Sequence, residues 1–306
     1  MNGRTALIGA AVVAALALLG WFSIGRSSKE SNAPSTTAMP GMPMSDTTST
    51  ATGVGMPGMS TGHSGAMTGM KPLVTGANGT RASAGGLTLE PKHTMFMAGH
   101  TVNWQLRIRN HMGMPVTKFE LDQTKLMHLI VVRSDLTNYQ HLHPTLGRGG
   151  IFTVELRLPS AGSYRAIADF TTGGRRYALG VPIHVPGSAT TAPLPAEAME
   201  ARSDGYTVMT MHKAPKAGRE TNLEFTISKD GQPVTGLRPY LGSYGHLVAL
   251  RKSDIAYSHV HPTSEDLAKG VISFSAEFPT AGAYRLFLQF RTSTGVHTAP
   301  FTVRVA

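Results

Sequence analysis

The chain has 306 residues and a mass of 32.5 kDa, a length that suits about two domains. It contains no cysteine, which excludes disulfides, thiolate metal sites, iron–sulfur clusters, cysteine nucleophiles and lipidated cysteines. The net charge is +10, but only 15% of residues are charged and no basic run follows Lys29, so we expect no nucleic-acid partner. Methionine (16) and histidine (13) are abundant instead, and both can bind metals.

The chain begins with an apolar stretch over residues 6–25 that carries no charge. A helix of this length just crosses a hydrocarbon core of ~30 Å. Residues 1–26 are therefore interpreted as a signal anchor, with a signal peptide cleaved near residues 23–25 as the alternative. The anchor makes this a single-pass protein of the cell membrane with its domains outside the cytoplasm. Cleavage makes it secreted or periplasmic.

Residues 27–85 are rich in Gly, Ser, Thr, Ala and Pro, a composition typical of a disordered tether. Methionine is the exception, and the tetrapeptide MPGM occurs twice. Thioethers are suited to soft Cu(I) or Ag(I) in an oxidising compartment, whereas compositional drift or sacrificial oxidation is the alternative. The candidate ligands in this segment are Met39, Met42, Met44, Met56, Met59, His63, Met67 and Met70.

The remaining sequence contains one unit twice, over residues 86–186 and 203–306, joined by a Pro/Ala/Thr-rich linker over residues 187–202. Three pairs of segments match: residues 125–144 with 243–262, 159–170 with 279–290, and 113–117 with 231–235. Each unit shows short alternating runs separated by turn residues, and no long helical period appears. The predicted fold is all-β, with two tandem immunoglobulin-like antiparallel β-sandwiches, and the tyrosine of the repeated Pro-x-Ala-Gly-x-Tyr segment is predicted to close one end of each sandwich.

Histidines recur at the same spacing in both units: His128, His141 and His143, and then His246, His259 and His261. The surrounding segments are typical of a hairpin in which residue 130 pairs with 141 and residue 128 with 143. A His-x-His pair on a strand shares one face. Each triad is therefore a candidate site for copper, with zinc as the alternative.

Two further histidines occupy matched positions upstream, and each is a possible fourth ligand. His93 lies six residues before Gly99, as His212 lies six before Gly218. The competing interpretation of the triads is structural: Pro144 and Pro262 follow the His-x-His segments directly, so the histidines can instead cap or pack a strand end.

Unit one carries extra soft ligands that unit two lacks, and it is the stronger Cu(I) candidate. These residues are Met95, Met97, His100, His111, Met112, Met114 and Met127. The pair Met95 and Met97 is predicted to share a strand face, and core packing is the alternative role for both.

The tandem HLIVVR…YQHLHP, PSAGSYR and GMPVT segments and their partners in unit two resemble bacterial envelope proteins with immunoglobulin-like domains of the YtkA/FixH-like type. More loosely, the Met/His-rich tract and β-sandwiches are similar to periplasmic CopC-type copper-resistance carriers. The second resemblance implies copper binding and delivery without catalysis. The chain departs from that type because it has two domains and no mature N-terminal histidine ligand.

The leading hypothesis is an extracytoplasmic, membrane-tethered metal-binding protein that sequesters or delivers copper. The alternative is a non-catalytic structural or interaction module with two immunoglobulin-like domains and an envelope protein as partner. An enzyme is not expected, because no nucleophile elbow, phosphate loop or His-Glu-x-x-His motif appears.

Overall fold

The computed structural model describes residues 71–212 and 214–306, without the side chain of His259. Folded structure begins earlier than predicted, because a strand, β1 (Leu73–Asn78), lies within the segment assigned to the tether. Its Val74 and Ala77 are buried in the first sandwich, and this burial stabilises a strand with few large apolar residues. The described part of the chain contains no helix long and apolar enough to cross a membrane.

The predicted all-β fold is confirmed: each repeat is a sandwich of two sheets. In the first repeat, one sheet has the order β1, β10 (Arg175–Val185), β9 (Gly162–Thr172), β5 (Met127–Arg133) and β6 (Gln140–Leu142). The other has the order β2 (Ser83–Ala84), β3 (Leu87–Pro91), β4 (Thr101–Asn110), β8 (Ile151–Arg157) and β7 (Thr145–Leu146). A single 3-10 turn, Arg148–Gly150, precedes β8.

The second repeat has the same layout. One sheet has the order β11 (Glu200–Ser203), β12 (Tyr206–Met211), β13 (Glu220–Lys229), β18 (Val271–Glu277) and β17 (His261–Asp266), with β14 (Gln232–Pro233) beside β13. The other has the order β16 (Tyr257–His259), β15 (Gly245–Arg251), β19 (Gly282–Thr292) and β20 (Gly295–Val305). The strand alternation predicted from the sequence is visible in burial, since β13 alternates buried and more exposed residues along its length.

A tyrosine closes one end of each sandwich, as the repeated Pro-x-Ala-Gly-x-Tyr segment predicts. The Tyr164 hydroxyl donates a hydrogen bond to the Ser160 carbonyl at 2.8 Å. Tyr284 donates to the Thr280 carbonyl at 2.9 Å. Both tyrosines are buried, so their hydroxyls are satisfied by backbone groups of the turn that precedes the strand.

The two repeats differ at one sheet edge. In the first repeat β1 runs parallel to β10, and Gly180 permits the approach, because a Cβ at this position would lie 1.7 Å from the Gly79 carbonyl oxygen. In the second repeat β20 ends its sheet, and Pro300 stands at the position equivalent to Gly180. Proline has no N–H to offer another strand, which protects an open edge.

The sheets that contain β5 and β15 pack against each other across the two repeats. A third apolar cluster forms there, separate from the two sandwich cores, and each repeat contributes five buried side chains. They are Ile130, Val132, Leu136, Ile167 and Ala178 from the first repeat, and Val248, Leu250, Ile255, Tyr257 and Phe287 from the second. Strand β5, which contributes Ile130 and Val132 to this joint, also carries His128.

Candidate metal centre between the repeats

The hairpin of β5 and β6 brings three histidines of the first repeat together. Ile130 lies opposite His141 in the ladder, which confirms the predicted register, and the last pair, Leu129 with Leu142, directly adjoins His128 and His143. One ring nitrogen from each of the three histidines lies within 4.8 Å of the others. Ile130 and Val132 share the face of β5 that carries His128, and both belong to the apolar joint between the repeats. The cluster therefore faces the second repeat.

Hydrogen bonds orient two of these rings from outside. His128 Nε2 lies 3.0 Å from the backbone carbonyl oxygen of Asp122, and His141 Nδ1 lies 2.7 Å from Oε1 of Gln289 in the second repeat. Both oxygens accept, so each of these nitrogens carries the hydrogen. The inner nitrogens, His128 Nδ1 and His141 Nε2, are 3.0 Å apart, and in neutral rings both present a lone pair.

The third ring, His143, lies beside this pair. Its ring centroid is 5.2 Å from that of His128 and 4.6 Å from that of His141. Its buried Nε2 has no hydrogen-bond partner among the described residues, and a buried polar atom without a partner requires an explanation. Three imidazole nitrogens converging on one point are a ligand set for a transition metal, in which hydrogen bonds to the outer nitrogens fix ring orientation.

Burial and neighbouring groups disfavour the charged forms of two rings of the cluster, His141 and His143. Desolvation, together with the neighbouring His128 and His143, lowers the pKa of His141 well below its usual value. Desolvation, with His128 and Lys125 nearby, lowers the pKa of His143 to about 3. Neutral imidazole is the form that binds a metal, so these rings are ready to bind at neutral pH.

The second repeat covers the cluster with His246. Its ring stacks on that of His141 at a centroid distance of 4.6 Å and on that of His128 at 5.6 Å, with an interplanar angle of 8° to the latter. Imidazole lone pairs lie in the ring plane, so a stacked ring offers its face to its neighbours. His246, only 2% exposed, therefore shields the cluster from water.

A buried ionic network lies beside the cluster. Asp169, opposite His128 in the ladder of β5 and β9, accepts two hydrogen bonds of 2.9 Å from Arg176. It also accepts one of 2.7 Å from the Tyr257 hydroxyl of the second repeat. Burial disfavours the Arg176 charge, but Asp169, Tyr257 and Asp122 together more than offset this, and the pKa of Arg176 is raised. The network ties the two repeats together beside the histidine cluster.

The second triad is arranged differently. Val248 lies opposite His259, as the predicted register requires, but His261 begins β17 and pairs with Ser275 of the other sheet. The chain changes sheets between the two histidines, so the expected ladder pairing of His246 with His261 does not form. The side chain of His259 lies outside the described residues, and the ligand set of this triad remains a prediction.

The predicted fourth ligands lie away from the cluster. His93 is exposed, its ring centroid is 4.8 Å from that of Phe96, and it lines a surface groove with His100. His212 lines a separate groove in the second repeat. His93 follows β3 and His212 follows β12. The histidine cluster lies on the other sheet of the first repeat, the one that contains β5 and β6, and on the face of that sheet that points away from the sandwich core.

Six of the extra soft ligands of the first repeat are on its surface, whereas the seventh, Met127, is buried in the core of the first sandwich. Met95 and Met97 are 55% and 68% exposed, which rules out the alternative of core packing, and neither belongs to a regular strand. His111, Met112 and Met114 are exposed in a turn, where the Asn110 side chain accepts both methionine N–H groups. The tether candidates, Met39, Met42, Met44, Met56, Met59, His63, Met67 and Met70, lie outside the described residues.

Sequence reasoning missed the groups that support the cluster. Gln289, Asp169 and Arg176 were not candidates, although Asp169 and Gln289 hold matched positions in the repeated segment and interrupt otherwise apolar strands. That pattern is a usable signal for a polar contact on a buried sheet face. Met199, Met209 and Met211 were also missed.

The sequence of both repeats matches one family. Residues 82–187 and 201–306 match the domain described as "Domain of unknown function (DUF8832)". No curated protein matches the chain. The YtkA/FixH-like and CopC-type resemblances stay expectations, whereas the tandem domain organisation is shown.

Solved structures that match the chain include two bacterial adhesins and titin. The Escherichia coli adhesin FdeC is 16% identical, with 73% of this chain and 65% of that chain covered and a TM-score of 0.25. The Yersinia pseudotuberculosis adhesin InvE is 14% identical, with 71% and 58% covered and a TM-score of 0.24. Tandem immunoglobulin domains of titin are 10% identical, with 72% and 96% covered and a TM-score of 0.21. The chain spans less than two thirds of either adhesin chain, and TM-scores this low carry no argument about function.

Proposed function

We propose that this chain, which belongs to the DUF8832 family, binds a transition-metal ion, copper or else zinc, between its two repeats. One observation carries the proposal: His128 Nδ1 and His141 Nε2 face each other at 3.0 Å, while the outer nitrogen of each ring donates to an oxygen. Two lone pairs at this distance repel unless a cation lies between them. This pair of nitrogens therefore supports a cation as the ligand of the cluster.

A metal ion suits that position better than a proton. Burial and the neighbouring rings lower the pKa of His141, so a shared proton is disfavoured at neutral pH. His143 offers a third ring nitrogen, and the three candidate ligand atoms lie within 4.8 Å of one another. The donor set holds imidazole nitrogen alone, which suits copper and zinc, and copper binds more tightly in the general affinity order.

The residues around the cluster determine how many ligands a bound ion would have and how accessible it would be. Three histidines leave a fourth position for water or another small ligand, and the stacked His246 restricts access to it. Gln289 of the second repeat orients His141, so the site is complete only when the repeats are docked. Sequestration or delivery of the ion fits this enclosed arrangement. From the sequence we further propose a membrane tether outside the cytoplasm, whose methionines collect Cu(I).

The proposal is tested by titrating the full chain with Zn(II) and with Cu(II) against a chelator of known affinity. We expect one tight ion per chain with Kd below about 10 μM. We expect the double variant His128→Ala with His143→Ala to weaken that ion at least about 100-fold, since two of three ligands are lost. His184→Ala, which removes an exposed histidine of β10, is the matched control and should bind normally.

A milder variant guards against loss of the fold. His143→Gln keeps a polar side chain at a half-buried position, and far-UV circular dichroism checks that the sandwiches persist. Cu(II) bound to wild type should show nitrogen hyperfine structure in its electron paramagnetic resonance spectrum, reduced in His143→Gln. Affinity weaker than about 10 μM that neither variant changes would falsify the proposal.

A non-catalytic interaction module is the second candidate. The observation that favours it is the exposed methionine surface of both repeats, because methionine is frequent at adaptable protein-binding surfaces. Under this hypothesis an envelope protein binds the folded repeats equally well with and without metal. Pull-down of the full chain with and without a chelator, compared with His128→Ala with His143→Ala, separates the two functions.

A further inference from the structure

The methionines of the described residues are placed unusually. Met127 is fully buried, but seven others are exposed: Met95, Met97, Met112, Met114, Met199, Met209 and Met211. The other exposed large hydrophobic side chains in the described part of the chain are Leu73, Leu121 and Val296. Methionine normally fills gaps in a core, so its selective exposure here indicates a use for the thioether in solvent.

Two methionines of the second repeat meet a histidine in one groove. Met199, Met211 and His212 line a surface groove of about 860 Å³. Met199 and Met211 are 46% and 63% exposed, so both residues are accessible to solvent. Two cationic and two acidic side chains also line the groove: Lys216, Arg219, Glu220 and Glu224. These opposite charges balance, which leaves the neutral donors to determine what binds.

The first repeat has a groove with the same donors at the equivalent place. Its volume is about 380 Å³, and its lining includes His93, Met95, Met97 and His100. Each groove lies beside the segment that joins the first two long strands of its sheet, β3 to β4 or β12 to β13.

The donors in the two grooves come from different positions. His93 and His212 are matched, but Ala214 and Lys216 stand opposite Met95 and Met97 in the alignment of the repeats. Met211 stands opposite Lys92. The methionines therefore do not trace to one ancestral position, yet each groove has acquired two beside the histidine. Compositional drift does not explain why they gather at the same place twice.

We propose that the groove of the second repeat is a solvent-open site for a soft monovalent cation, Cu(I) or Ag(I), held by Met199, Met211 and His212. Neutral thioether sulfur is a soft donor that selects such ions over Zn(II). The site is separate from the buried histidine cluster and does not depend on it, because its donors lie on the surface of the other sheet of the second repeat.

The site is tested on the full chain with Ag(I), which needs no reductant, and with methionine methyl groups labelled with 13C. Each methyl resonance is assigned from a single Met→Leu variant, so the methionines of residues 27–85 do not obscure the readout. We expect the methyl resonances of Met199 and Met211 to shift together. The free Ag(I) concentration that shifts them should be at least about tenfold lower than the concentration that shifts the resonance of Met209. Met209 is the control because it is 49% exposed on the same strand but does not line the groove.

The decisive variant is Met211→Leu. A shared ion predicts that this change, which keeps an apolar side chain at an exposed position, greatly weakens the response of Met199 to Ag(I). His212→Gln should likewise raise the half-saturating concentration for both methyl groups, and Zn(II) should shift neither. The proposal is overturned if Met199 responds unchanged in Met211→Leu, or if both groove methionines respond only where Met209 does. Neither result bears on the buried cluster, which is measured with Zn(II) and Cu(II).

Discussion

The two repeats differ most informatively where β9 and β19 meet the joint between them. Asp169 lies opposite His128 in one ladder, and Gln289 lies opposite His246 in the other. Each accepts a hydrogen bond from the opposite repeat: Asp169 from Tyr257 and Gln289 from His141. The same position thus serves as a buried anion in one repeat and as a neutral ring-orienting amide in the other.

This difference shows how two similar repeats can form one candidate site at the joint between them. Because the repeats pack face to face through equivalent sheets, equivalent residues come close to each other at the joint. In the first repeat the guanidinium of Arg176 balances the charge of Asp169. In the second repeat Val296 stands at the position equivalent to Arg176. Gln289, the neutral residue at the matched position, instead orients the imidazole of His141. One residue became structural and its counterpart became part of the candidate site.

The largest expected effect comes from removing the anion. Asp169→Ala leaves Arg176 buried without its partner and should lower the free energy of unfolding by about 3–5 kcal/mol. Gln289→Ala, at the matched position, removes only neutral hydrogen bonds and should cost about 1–2 kcal/mol. Urea denaturation of the full chain at pH 7 measures both. Equal losses in the two variants would show that the repeats are not differentiated at this position.

The matched tyrosines should respond in opposite ways. Tyr257→Phe deletes the hydroxyl that donates to the Asp169 carboxylate at 2.7 Å and should cost about 2 kcal/mol, as hydrogen bonds to charged groups do. Tyr139 stacks on Phe287 at 3.9 Å, but its buried hydroxyl has no hydrogen-bond partner among the described residues. Tyr139→Phe should therefore be neutral or slightly stabilising.

The same denaturation experiment measures the tyrosine pair. A loss of stability in Tyr139→Phe as large as in Tyr257→Phe would mean that the two hydroxyls are equivalent. That result would contradict the asymmetry of the joint, because it requires a partner for Tyr139 that the structure does not show.

The smallest expected effect concerns the orienting amide. Gln289→Met keeps the side-chain length but removes the acceptor for His141 Nδ1, so the ring is less well oriented. Zn(II) affinity should fall by about tenfold, the lower end for supporting groups of metal sites. Competition titration measures this, and Tyr139→Phe should bind Zn(II) as wild type does. An unchanged affinity in Gln289→Met would place the second repeat outside the metal site.

Much of the fold was predictable because the repeats carry local signals. Strand alternation, turn residues and the repeated Pro-x-Ala-Gly-x-Tyr segment predicted two sandwiches and their closing tyrosines. Strand β1 was not predictable in this way, because LVTGAN contains little that distinguishes it from the tract before it. It forms because β10 has an open edge and because Gly180 allows close approach, and both conditions lie about 100 residues away along the chain.

For the candidate site, the sequence indicated a hairpin, but its register was an assumption that only the observed pairing of Ile130 with His141 decided. The sheet change between His259 and His261 was not predictable, because it depends on which sheet each flanking strand joins. The expectation that His93 completes the triad meets a related difficulty, because the strands that flank His93 and those that carry the triad belong to different sheets. Matched sequence positions show that two residues have equivalent places, but not that they lie near a third.

By itself the sequence determined the local content of this protein: two β repeats, a hairpin that gathers His128, His141 and His143, and methionines placed where no core requires them. Only the tertiary structure decided what surrounds that hairpin. The docking of the two sheets supplies Gln289, His246 and the Asp169–Arg176–Tyr257 network from positions far apart in the chain. The physical reason is that strand pairing follows short-range periodicity, whereas contacts between sheets depend on which faces bury apolar area together.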